Sequence, residues 1–449
     1  MGSYLIQDPQ HEYASQFIRL LWERYGHRPI GLFTRGPKER FYRRNECLPD
    51  SHFAAVYEWD GADVAQLCAR IKSRHPDLQA VIPYSEETLE LTAKMLPRLG
   101  LRWNSSDVLE RFRKKAALKD RVRRVAPSVR INFTARVSSF EDARQLGDSL
   151  PAKFILKPDS GFGSRGVAIF RREELPRVEI FFACAPGSYV LEEFLEGTIY
   201  AVDGVVDEEG KPSIASVFSS GRRTLNGSPV VYGDGFLVHQ DTPLFSELAA
   251  YAADVIRATE LRRGPFHMEV MRDAQGPCLI EVGARLIGHS HAFTIERVHG
   301  GGLDLFGIAA RAYLGLPMEP RVDFAQYNSV QAAKVYGAST EEGVVYAIDG
   351  SSSVEQMDSF DRWIVRPKVG TELHRTTDLF TVPYSAVLVS KRDGEPITNA
   401  ANAVHSAMKI HCSGDLVQKI RVDGDRLASK VKNKLGWIAE QARRQFSEG

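Results

Sequence analysis

Cysteine is scarce. The five in 449 residues (Cys47, Cys68, Cys184, Cys278 and Cys412) are odd in number, widely scattered and form no C-x-x-C pair. That pattern excludes a disulfide framework and gives no sign of a zinc centre. Net charge is almost absent as well, with 58 Lys and Arg against 57 Asp and Glu. No whole-molecule basic field exists to hold nucleic acid or an anionic membrane, so small molecules or proteins are the expected partners. No run of 18 or more uncharged apolar residues occurs, and a membrane-spanning helix is therefore not expected. The start, Met1-Gly2-Ser3-Tyr4-Leu5-Ile6, lacks the basic stretch and long apolar run of a secretory signal, and Ile6 stands where a myristoylation motif needs Ser or Thr. A cytoplasmic location is the expectation. Internal repeats and low-complexity tracts are also missing.

What is present is the usual mix of a folded protein, 43% hydrophobic and 26% charged, long enough for about three domains. In the first hundred residues, short apolar runs (Tyr4-Leu5-Ile6, Pro29 to Phe33, Phe53 to Tyr57, Ala80-Val81-Ile82) alternate with helical patterns near 9–26, 61–75 and 86–99. Strands alternating with helices predict an open parallel sheet covered on both faces. A basic helical stretch over 105–125 follows, stopped by Pro127. From about 152 the texture is β-rich, with helices expected near 244–260, 303–314 and 396–410. The spacing of Leu427, Val431, Leu435, Ile438, Ala442 and Phe446 predicts a terminal amphipathic helix.

Residues 161–166 read Gly161-Phe162-Gly163-Ser164-Arg165-Gly166, a literal G-x-G-x-x-G. A dinucleotide fold needs this loop to open a helix, but Val167-Ala168-Ile169-Phe170 follows and predicts a hairpin. A protein kinase also uses a hairpin, but its HRD and DFG elements are missing. What remains is a Gly-rich hairpin loop preceded by Lys157-Pro158. Backbone N–H groups without side-chain obstruction approach phosphate closely, and an ammonium neutralises it. A hundred residues on, His267-Met268-Glu269 and Glu281-Val282-Gly283-Ala284-Arg285 flank the turn signal Gly276-Pro277. Such a hairpin brings Glu269 and Glu281 onto one face as hard oxygen ligands of the kind Mg²⁺ prefers, with Arg285 aimed at a phosphoryl group. His267 is read as structural and assigned to the opposite face.

Taken in order, the cationic helix, the Lys-Pro strand with its GFGSRGV loop, the Glu-Glu-Phe-Leu segment at 192–195, Glu269, and Glu281-x-x-x-Arg285 resemble the ATP-grasp superfamily of ligases. Within it the chain is most similar to the amino-acid ligases that join a carboxylate to an amine. The resemblance implies an α/β ATP-grasp fold. Its expected parts are an N-terminal α/β domain over 1–105, a central subdomain with the flap over 106–195, a metal and substrate subdomain over 196–320, and a C-terminal module over 321–449.

It also implies roles for individual residues. Lys157 and Lys115 would meet the nucleotide phosphates, with Lys114 and Lys119 as alternatives to Lys115. Gly161, Phe162, Gly163, Ser164 and Gly166 would form the flap. Glu192 would receive the adenine amino group, and the backbone at Glu193 and Leu195 would line the hinge. Glu269 and Glu281 would hold Mg²⁺, with Mn²⁺ as the alternative ion, and Arg285 and Lys157 would be catalytic. Two departures stand out. Ile199 replaces a frequent ribose-binding Glu, which leaves Asp203 as the candidate there, and Gly283 replaces a frequent Asn. Arg222, beside Arg223, together with Gly288, His289 and His291, is assigned to substrate. The implied reaction forms an amide through an acyl phosphate and releases ADP and phosphate. The alternatives are a non-catalytic ATP-binding module, or a ligase with a thiol or carrier-protein acceptor or a bicarbonate donor. Homodimerisation is left open.

Overall fold

The computed structural model describes residues 2–9, 13–34, 52–101, 104–159, 166–288, 291–300, 305–318 and 322–413. Its chain divides into two compact units. One comprises 1–221, 235–331 and 391–393, and the other 222–234, 332–390 and 394–449.

The first unit opens with a four-stranded sheet in the order Ala55–Trp59, Ile30–Thr34, Ser3–Gln7, Leu78–Pro83, every pair parallel. Leu5, Ile6, Ile30, Leu32, Phe33 and Val81 are fully buried, as near-continuous apolar strands must be when helices cover both faces. The helices Tyr13–Tyr25, Val64–Arg74 and Leu89–Leu99 match the predicted positions. Asp63 starts the second by accepting from the N–H groups of Ala65 and Gln66, and Gly100 ends the third in the left-handed region at φ +77°. Strand order reverses beside Ser3–Gln7, and Tyr84, Ser85 and Glu86 follow directly on Pro83 at that point.

The basic stretch is two helices rather than one. Ser106–Arg113 and Lys115–Val125 meet at Lys114, whose φ of −120° and ψ of 98° break the helix. Asp159, two residues after Lys157, explains the restart. Its carbonyl accepts from the Lys115 N–H and its carboxylate from the Ala116 N–H, satisfying donors that a helix start leaves open.

Two antiparallel four-stranded sheets carry the rest of this unit. One runs Thr134–Val137, Tyr189–Glu193, Lys153–Pro158, Ala168–Arg171. Strand alternation sends Phe154, Leu156 and Leu191 into a core with Phe170, Val178 and Phe182, and sends Lys157 and Glu192 to the other face. The other sheet runs Pro212–Ser220, Thr198–Val206, Gly264–Asp273, Gly276–Gly283. The helices Pro243–Thr259 and Leu305–Leu314 fall close to their predicted spans.

In the second unit, Val330–Tyr336, Ser385–Lys391 and Phe360–Val365 lie side by side, and Gly343–Asp349 pairs with Glu372–Leu373 and Lys409–Ser413. The hairpin Arg222–Leu225 and Ser228–Tyr232 and the helix Ile397–Ala407 also belong to it. The predicted terminal amphipathic helix lies outside the described residues. Among the described residues, no helix is long and apolar enough to cross a membrane.

Candidate active site

The hairpin of Gly264–Asp273 and Gly276–Gly283 sets Glu269 directly opposite Glu281 and His267 directly opposite Gly283. The register shifts just beyond the glutamates, where Val270 already pairs with Leu279, so Ile280 is an extra residue. Bulges of this kind bend a strand and re-aim its side chains, and here one stands beside Glu281. The cleft over this hairpin is lined by Glu86, Arg113, Lys115, Lys119, His267, Glu281, Gly283 and Arg285.

Cations converge on Glu281. Lys115 brings its Nζ to 3.7 Å from Oε2 of Glu281. Burial alone would raise the Glu281 pKa, but Lys115, Lys157, Arg285 and His267 hold it below the ordinary carboxylate value. Arg285 lies just past the end of its strand and is held from the N-terminal sheet, its Nε donating to Oε2 of Glu86 at 2.9 Å. Arg113 stands 3.9 Å from the other oxygen of Glu86. Gly283 leaves room for this carboxylate position, since a Cβ there would lie 2.8 Å from Oε2 of Glu86 and the Glu86 tip would have to shift. The departure at Gly283 is thus the space into which Glu86 brings its carboxylate. Sequence reasoning did not single out Glu86. Its place right after a parallel strand, at the point of order reversal, was the available signal.

On the first sheet, Glu192 is fully buried between two lysines. Lys119 Nζ lies 2.8 Å from its Oε1 and Lys157 Nζ 2.9 Å from its Oε2. Burial would raise its pKa, but the two ammonium groups bring it down to about 2. Lys157 also feels Glu281 and Glu269, and these with Glu192 outweigh burial and raise its pKa. Lys119 is turned the other way. Burial outweighs the attraction of Glu192 and lowers its pKa. Its ammonium donates further to Oδ1 of Asn132 at 2.9 Å, and the Asn132 amide donates to the Glu193 carbonyl at 3.0 Å.

Several of the expected site residues have partners within the protein. Glu192, expected at the adenine amino group, has each carboxylate oxygen within ion-pair distance of a lysine. Glu193 donates its N–H to Phe133 O and has its carbonyl on Asn132, so its backbone is already engaged. Leu195 packs with Met271, Cys278, Ile199 and Ile280 in an apolar cluster. Asp203, the ribose candidate, is fully buried and accepts from Nδ1 of His267 at 2.9 Å, taking that atom as the donor. His267 is on the same face as Glu269, not the opposite one, because residues two apart on a strand point the same way.

Of the three lysines proposed for one phosphate role, Lys115 faces Glu281, Lys119 is buried on Glu192, and Lys114 sits at the helix break. Gly161, Phe162, Gly163 and Ser164 lie outside the described residues, whereas Gly166 has φ +69°. The flanking strands do form the predicted hairpin. Arg222 belongs to the second unit, its guanidinium 3.9 Å from the Tyr232 ring centroid. Gly288 ends the described segment after Arg285. His289 lies outside the described residues, and His291 begins the helix His291–Val298.

Known proteins resemble this chain in sequence and in fold. Residues 150–292 match the ATP-grasp domain family. Dapdiamide A synthase from Enterobacter agglomerans is 27% identical over 231 residues, which are 50% of this chain and 54% of that protein, so the match spans about half the length of that relative. The L-amino acid ligase from Bacillus licheniformis superposes with a TM-score of 0.72 at 16% identity, covering 92% of this chain and 99% of that one. The biotin carboxylase domain of Hydrogenobacter thermophilus 2-oxoglutarate carboxylase, solved with MgADP and bicarbonate, gives 0.63 at 16% identity, covering 92% and 91%. Residues 150–292 thus match the ATP-grasp domain family, and the chain has the ATP-grasp fold.

Proposed function

We propose that this chain is an ATP-dependent carboxylate–amine ligase acting on amino acids. The observation that carries the reading is the pull of Lys115, Lys157 and Arg285 on Glu281, which lines the cleft directly opposite Glu269 on the facing strand. The likeness to dapdiamide A synthase and to an L-amino acid ligase supports the substrate class.

In this reading a carboxylate oxygen attacks the γ-phosphorus of ATP, the bond to the bridging oxygen breaks, and ADP leaves. An amine nitrogen then attacks the acyl carbon, phosphate leaves, and the nitrogen gives up its proton. A free carboxylate is a poor electrophile, and phosphorylation supplies its leaving group. No nucleophilic side chain is needed, because positioning and charge neutralisation do most of the work. Lys157 and Lys115 balance phosphate charge, and Arg285, fixed by Glu86, faces the transferred phosphoryl group. Gly288, His289 and His291 receive the acyl substrate, and residues 161–166 cover the phosphates.

Glu269 and Glu281 would hold Mg²⁺ or Mn²⁺. Two hard oxygen donors on one face suit an ion that completes its shell with phosphate oxygens and water. A bound ion would supply positive charge at those phosphate oxygens. Incubation with ATP and pooled amino acids should release ADP and phosphate only when substrate is present, with a product lighter than its two components by one water. Release of AMP and pyrophosphate would rule the mechanism out. Binding of MgATP without turnover across a broad screen of acids and amines would favour a non-catalytic module.

A further inference from the structure

We propose that Lys119 is a positioning residue that sets the charge of the nucleotide site through Glu192, a proposal that rests on the ATP-site reading above. Its side chain is 1% exposed, and its ammonium lies 2.8 Å from Glu192 Oε1 and donates to Asn132 Oδ1 at 2.9 Å. Lys157, 12% exposed, holds the other oxygen of the same carboxylate at 2.9 Å. Two ammonium groups share one carboxylate, so the buried cluster carries one net positive charge. Without Lys119, the Glu192–Lys157 pair would be neutral, and Glu192 would cancel the charge that Lys157 offers to a polyanion.

The geometry gives each lysine one oxygen of Glu192. Lys119 therefore does not compete with Lys157 for its lone pairs but neutralises the carboxylate from behind. Asn132 completes the anchor by tying the Lys119 ammonium to the Glu193 carbonyl, at the end of the strand that carries Glu192. A further consequence concerns Lys157, which is drawn both to Glu192 and to Glu269 and Glu281 on the facing sheet. With Lys119 sharing Glu192, the hold of that carboxylate on Lys157 is weakened and the ammonium is free to follow phosphate.

The test is charge bookkeeping by mutation, read as MgATP affinity in calorimetry on the full chain. Losing one unit charge about 6–8 Å from a polyanion corresponds to roughly 10–100-fold in affinity at the effective dielectric of a protein. Lys119→Met should weaken binding by that factor. The double variant Lys119→Met with Glu192→Gln, whose net charge is again one positive, should return to within about threefold of the parent, and kcat at saturating ATP should recover with it. A purely structural lysine predicts no such recovery. Glu192→Gln alone leaves both lysines, and because the site keeps at least its parental positive charge even when buried Lys119 gives up its proton, it should bind no more weakly than the parent and keeps the idea testable if Lys119→Met does not fold. Unchanged affinity in Lys119→Met, no recovery in the double variant, or weaker binding in Glu192→Gln would overturn the assignment. Failure of the parent protein to bind MgATP at all would instead overturn the ATP-site reading itself.

Discussion

The two antiparallel sheets of the first unit both place glutamates beside lysines, yet they use them oppositely. On the sheet of Lys153–Pro158 and Tyr189–Glu193, Glu192 is fully buried and each of its oxygens is taken by an ammonium group. On the sheet of Gly264–Asp273 and Gly276–Gly283, Glu281 lines a cleft, with its nearest cation 3.7 Å away. A carboxylate closed in by tight ion pairs is a counter-ion, and its loss strands buried charge. A carboxylate in an open cleft, held ionised by several cations at longer range, is available as a ligand. Residue type alone does not separate the two. Burial and partner distance do.

The largest expected effect comes from breaking the open side. Glu281→Gln should lower turnover by about 10²–10³-fold while the melting temperature stays close to the parent value, because it removes charge at the transferred phosphate and not a buried pair. Near-normal kcat at ordinary magnesium would place the metal elsewhere. Next comes the residue drawn to both sheets. Lys157→Ala removes a positive charge that Glu192 shares with the facing carboxylates, and MgATP affinity should fall by roughly 10–100-fold, with a smaller fall in kcat. If its affinity matched that of the parent, the phosphate contact would have to lie with Lys115 alone.

A third variant asks whether Gly283 is a loss or an adaptation. Gly283→Asn adds the side chain frequent in the superfamily, but its Cβ would meet Oε2 of Glu86 at 2.8 Å and displace the partner of Arg285. Turnover should therefore fall, by about tenfold or more given what a displacement of one ångström costs at a reacting centre. A gain in activity would show that the position lacks a ligand.

The smallest effect is on stability in acid. Glu192 has a pKa of about 2 against an ordinary 4.5, so its contribution to folding is complete above about pH 4.5 and is lost as pH falls through about 2. The stability gap between the parent and Glu192→Gln, measured by urea unfolding, should narrow steadily over that window. A gap independent of pH would mean that the Glu192 carboxylate is not held by its lysines.

Much of this was legible in the chain because it follows from local pattern. Alternating strands and helices gave the parallel sheet, and Gly276-Pro277 between two short apolar runs gave the hairpin that sets Glu269 against Glu281. The break at Lys114 was not legible, since the sequence around it is helical throughout and the cause, Asp159, is 45 residues away. Nor was Glu86, whose role depends on a space left by Gly283 nearly 200 residues later. The grouping of the hairpin 222–234 with the C-terminal segments was equally hidden, as nothing in its composition distinguishes it from the strands before it.

The sequence by itself determined which residue types were present in which order, and hence the strand alternation, the Gly-rich loop and the facing pair of glutamates. These rest on steric and periodic rules that act over a few residues. Tertiary structure alone decided the assignments of charge: that Glu192 is sealed between Lys119 and Lys157, that Asp203 is committed to His267, and that Arg285 is held by Glu86. The physical reason is that an ionic role depends on dielectric surroundings and on distances between segments far apart in the chain, and neither is encoded in the spacing of neighbouring residues.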